Sequence, residues 1–147
     1  MSTEVSGMIE CRPWRTLWDD DDQEAGWQGA VDLFLLNTGN AYSALACLFG
    51  VRNSYGFRPL SEGRGLPTDM SDAARSDFAA YPDAHGTTWI TWAEIAAADW
   101  DETNESGSLR RRDAVDDDSG WGPVWNVMET LAALHGDDNV RLVVWFT

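Results

Sequence analysis

The stretch Val140–Phe146, VRLVVWF, decides the fold class. It is apolar on both faces of an extended chain apart from Arg141, so it reads as the best strand of the chain and a central one. Just upstream, Pro123 sits at a first-turn position and opens the best helix of the chain, Val124–His135, which Gly136 stops. Val124, Val127, Met128, Leu131 and Leu134 share one face at helical spacing. Toward the N-terminus, Val5–Cys11 (VSGMIEC) has the rough alternation of a first strand, ended by Pro13. The run Gln28–Leu36 (QGAVDLFLL) is strand or helix by pattern alone.

Asn40 is placed to N-cap a helix over Ala41–Phe49, with Gly50 as its C′ residue. Residues 51–68 carry Gly56, Pro59, Gly63, Gly65 and Pro67 and read as a long packed loop, a kind that is usually functional or disordered. Ser71 caps a short helix over Asp72–Ala80, Thr87–Ile90 is a short strand, and Thr91-Trp92-Ala93-Glu94 is a capping box opening a helix to about Ala98. The polar stretch 101–120, with Arg110–Arg112 answered by Asp116–Asp118, reads as a mobile loop. The expectation is a single α+β domain over 1–147: a small mixed or antiparallel sheet with helices packed on it.

A chain of 147 residues can bury a core without disulfides or metals. Its 25 acids against 10 bases give a formal charge of −15, and all ten bases are arginine. That charge repels phosphate backbones and anionic membrane surfaces and favours basic protein partners or divalent cations. A GC-rich genome or a salt-adapted proteome produces the same acid excess, so solubility alone is a competing explanation. Cys11 and Cys47 lack zinc or redox spacing, and Cys47 reads as a buried free thiol. The segment MSTEVSGMIE has no secretory character, and no apolar run approaches the ~20 residues that span a bilayer. A cytoplasmic location, no membrane contact and no cofactor are the expectations.

No phosphate-loop, dinucleotide, nucleophile-elbow or metalloprotease motif occurs. His135, at a helix C-terminus, suits the helix dipole. Asp83 and His85 could point together, either in structural hydrogen bonding or as a base and its orienting carboxylate. Alongside a third carboxylate they could also ligate a metal. Arg52, Asn53, Arg58 and Arg64 form a candidate anion-binding spot, unless each arginine pairs with Glu62, Asp69 or Asp72 and pins the loop. Of the nine tryptophans, Trp89, Trp92, Trp121, Trp125 and Trp145 read as core, while Trp14, Trp18, Trp27 and Trp100 border acidic loops. A tryptophan exposed beside acids would suit a cationic partner.

Three blocks carry a resemblance: LFGVRNSYGFRPL with SEGRGLPTDMS, then DAHGTTWITWAEI, then VWNVMETLAALHGDDNVRLVVWF. As a set they resemble an uncharacterised family of actinobacterial and phage proteins, which brings no known activity. Phage members begin with Cys-Asp-Ile-His where this chain has Thr3-Glu4-Val5-Ser6. They also carry a further histidine where this chain has Thr87, so the metal set the resemblance implies is reduced here to Asp83, His85 and Glu4, which weakens it.

The leading expectation is an acidic binding protein, an accessory or inhibitory factor in phage–host conflict acting on a basic protein partner and not on nucleic acid. Its candidate surfaces are the 51–68 loop and the runs Asp19, Asp20, Asp21, Asp22 and Asp116, Asp117, Asp118. The alternative is a small hydrolase using Asp83 and His85, with Arg52 or Arg64 holding an anionic substrate.

Overall fold

The computed structural model describes residues 2–14, 26–37 and 39–147. Strands β1 (Val5–Cys11), β2 (Gln28–Asp32), β3 (His85–Thr91) and β4 (Val140–Phe146) form one antiparallel sheet in the order β2-β1-β4-β3. The expected α+β class holds. β4 is an inner strand, and all of it is buried. Side chains alternate across a pleated strand. Val140, Leu142, Val144 and Phe146 therefore join Ile9, Cys11 and Ile90 in one core, while Val143 and Trp145 join Met8 in another.

The first core is covered by α1 (Tyr42–Phe49), α3 (Trp92–Ala97) and α5 (Gly122–His135), and the second by α2 (Asp72–Phe78). α1 is buried all round because it has a second neighbour: Ala46 and Cys47 pack against Phe57 and Ala114. It ends at Gly50, which adopts φ 73°, a conformation that glycine reaches without Cβ strain. α2 starts where Ser71 accepts from the Ala74 amide at 3.2 Å, and α3 opens on the Thr91–Glu94 capping box.

Several expectations are corrected. The 28–36 run is strand only to Asp32; Asp32 then accepts from the Phe34 amide and turns the chain into a 3-10 turn, Leu33–Leu35, in which only Leu33 is buried. The N-cap of α1 is Ala41, which makes no side-chain cap; Asn40 instead donates to the Thr3 carbonyl at 3.3 Å. Leu134 is exposed, so the buried stripe of α5 runs through Val124, Met128 and Ala132.

The 101–120 stretch carries defined elements. Thr103 and Arg110 form a bridge, α4 spans Arg111–Ala114, and Asp117–Ser119 is a 3-10 turn. Its arginines pair with Asp101, Glu102 and Asp113, not with Asp116–Asp118.

One buried ion pair crosses the sheet. Glu10 and Arg141 are register partners on β1 and β4, and Arg141 Nε donates to Glu10 Oε1 at 2.7 Å. The other Glu10 oxygen accepts from the Ser71 amide at 2.6 Å, and Arg141 Nη1 reaches Asp69 at 3.0 Å. Removing one member leaves a buried charge unpaired. Arg141→Met is expected to cost about 3–5 kcal/mol in urea unfolding. The double variant Glu10→Leu/Arg141→Met should lose less than the single one. A single variant within about 1 kcal/mol of the parent contradicts a structural role for the pair.

Candidate functional site

His85 opens β3 opposite Phe146, with Gly86 at φ 65° in the irregular register that follows. His85, Asp83 and Glu4 are all exposed. Glu4 adjoins β1, where its amide donates to the Thr147 carbonyl at 2.9 Å, and β4 lies between that strand and His85. Among the described residues, no group of three or more His, Cys, Asp or Glu side chains is placed to hold a metal ion. Both cysteines are buried and free, and burial pushes the Cys47 thiol up to about 11, which keeps it from acting as a nucleophile. His135 accepts from the Trp14 amide at 3.4 Å.

The loop residues do not converge. Arg52, at φ 51°, donates to Thr3 Oγ1 at 2.7 Å and lies over the Tyr42 ring. Asn53 closes a turn, donating to the Phe57 carbonyl at 2.7 Å and accepting from the Phe57 amide at 3.0 Å. Arg58 pairs with Glu102. Arg64 pairs with Glu94, lies over the Trp89 ring and donates to the Trp89 carbonyl at 3.1 Å. The arginines do pin the loop, but through Glu94 and Glu102 and not through Glu62, Asp69 or Asp72. The Arg64 hydrogen bond holds the Glu94 carboxyl below its ordinary range. Arg64 reaches β3 at Trp89, four residues from His85 and roughly 10 Å or more along a strand.

The structure instead builds a tryptophan-lined groove of about 300 Å³ between α3, α4 and α5. Its walls include Trp92, Ile95, Trp100, Arg112, Val115 and Trp125. Trp100 is fixed by an indole hydrogen bond to the Ile95 carbonyl at 3.1 Å. Trp125 stacks on the buried Trp121 with ring centroids 5.3 Å apart. Trp121 and Trp145 are core, as expected, whereas Trp89, Trp92 and Trp125 are only half-buried. Trp27 lies beneath two arginines, with Arg141 at 3.8 Å and Arg12 at 5.1 Å. Trp14 is exposed, and Trp18 lies outside the described residues.

Of the acidic runs, Asp19–Asp22 also lies outside the described residues. Asp116, Asp117 and Asp118 are exposed and enter no ion pair among the described residues. Asp116 caps its own turn, accepting from the Asp118 amide at 3.1 Å.

A second pocket, of about 540 Å³, is lined in part by Glu4, Asp32, Asn37, Asn40 and Tyr81. Asp32 also neighbours Asp77, and burial together with the Asp32 carboxyl holds Asp77 above its ordinary range. A raised folded-state value means that the folded protein binds the proton more tightly. Its stabilising effect is complete below the ordinary carboxylate range and fades as pH rises through the raised value. Asp77→Asn is therefore expected to raise Tm at pH 7, and by more than it changes Tm at pH 4. An equal fall in Tm at both pH values contradicts the assignment.

No family model matches the chain, and no curated protein or solved structure matches it. No helix among the described residues is long and apolar enough to cross a membrane.

Proposed function

We propose that this chain is a binding protein that recognises a basic protein partner. The observation that carries the reading is an uneven use of charge. Arg12, Arg58, Arg64, Arg75, Arg110, Arg111, Arg112 and Arg141 all have partners within the chain, and Arg52 holds Thr3 and Tyr42. The exposed carboxylates of Asp116, Asp117 and Asp118 do not answer those cations.

With these cations engaged within the chain, the net −15 dominates the field an approaching partner meets, which attracts and orients a positive surface while repelling nucleic acid. The recognition surface moves accordingly from the 51–68 loop, whose arginines each have a partner within the chain, to the side of the molecule that carries residues 99–101 and 115–118. The resemblance to phage and actinobacterial proteins fits an accessory or inhibitory factor in phage–host conflict. Solubility alone would leave the same charge without any saturable association.

An oligo-arginine peptide is a suitable probe, with association followed by stopped-flow fluorescence. Affinity is expected to fall about tenfold or more between low salt and ~0.3 M salt as the charges are screened. Replacing Asp116, Asp117 and Asp118 together by asparagine should slow association several-fold, leaving Tm and dissociation nearly unchanged. Binding that is indifferent to both salt and the triple replacement would overturn the proposal.

A further inference from the structure

Resting on that reading, we infer that the groove between α3, α4 and α5 receives an aromatic side chain flanked by arginines on the partner. Trp92, Trp100 and Trp125 supply aromatic wall, and Ile95 and Val115 supply aliphatic contact. A volume of about 300 Å³ is at the lower limit for small-molecule pockets, which suits one inserted ring better than a cofactor. Aromatic rings pack edge-to-face or offset against indoles with a gain beyond their area, and buried aromatic anchors dominate interface energies.

The rim supplies the second half of the specificity. Asp99 and Asp101 flank Trp100 in the chain, Val115 runs directly into Asp116–Asp118, and Glu129 follows Trp125 by one helical turn; all are exposed. Successive Cα atoms are 3.8 Å apart, so Asp99, Asp116 and Asp117 stand within one or two residues of the groove wall, Asp118 three residues from Val115, while the Asp101 charge is met by Arg110 and Arg112. Arg112, the cation in that wall, is already held by Asp101 at 2.7 Å. An apolar floor inside an acidic rim is complementary to an apolar ring between two positive charges. A lone cation would find Arg112 in the wall, and an acidic ligand would meet the rim.

The test follows the indole N–H signals of Trp92, Trp100 and Trp125 by NMR in the full chain, titrated with capped tripeptides. Arg-Phe-Arg is expected to shift those signals and to bind about tenfold more tightly than Arg-Gly-Arg, with Glu-Phe-Glu far weaker than either. Ala96 is exposed on α3 and also lines the groove, so Ala96→Trp fills it without removing a core side chain. That variant should keep its Tm and lose the preference for phenylalanine. Equal binding of Arg-Phe-Arg and Arg-Gly-Arg, or an unaffected Ala96→Trp variant, overturns the groove assignment and leaves the charge-based reading standing. Equal binding of Arg-Phe-Arg and Glu-Phe-Glu overturns the acidic rim and that reading together.

Discussion

The buried pair between Glu10 and Arg141 is the constraint from which the rest of the molecule follows. Glu10 is fully buried and Arg141 nearly so, and a charge in that position is tolerable only when every lone pair and proton is met. The pair fixes the register of β1 against β4, because a slip of one residue would put the two charges on opposite faces of the sheet and leave each buried without its partner. Ser71 donates its amide to Glu10, and Asp69 accepts from Arg141, so the same pair anchors the start of α2. That anchor holds α2 over the core of Met8, Met70, Ala74, Val143 and Trp145. Trp27 closes the arrangement by lying over the Arg141 guanidinium at 3.8 Å.

A second buried arginine does comparable work on the other side of the molecule. Arg111 donates to the Asp99 carbonyl at 3.0 Å and to the Arg58 carbonyl at 2.9 Å, and it pairs with Glu102. Next to it, the Arg112 amide donates to the Trp100 carbonyl at 2.9 Å. These bonds hold the turn that carries Trp100 against α4, giving the groove its shape before anything enters it. Preorganisation of this kind reduces the entropy lost on association. The internal arginines thus create a fixed apolar surface and leave the neighbouring carboxylates facing outward.

Much of the fold was legible because local chemistry and tertiary packing agree. β4 announced its central position by being apolar on both faces, Gly50 its helix end, and Thr91 with Glu94 its helix start. Where the two disagree, the sequence misled. Asn40 has the chemistry of an N-cap, but a tertiary contact to Thr3 takes its side chain. Leu33–Leu35 continues an apolar run, yet Asp32 captures the Phe34 amide and breaks the strand. The groove was only half visible: Trp100 stood out beside acids, whereas Trp92 and Trp125 looked like core. Their shared wall depends on how α3, α4 and α5 meet, which no spacing encodes. Glu10 and Arg141 did leave a signal, a single opposite charge in each of two otherwise apolar strands. Their pairing becomes readable only once the strands are known to be neighbours.

The claim that this face binds a basic partner is tested most directly by amide hydrogen exchange of the whole chain, with and without an oligo-arginine peptide at low salt. The account predicts slowed exchange concentrated in residues 95–101 and 111–118, with Gly86 and the 51–65 loop unchanged. Protection centred on the His85 end of the sheet or on the Arg52–Arg64 loop, with none around the tryptophan groove, would contradict it.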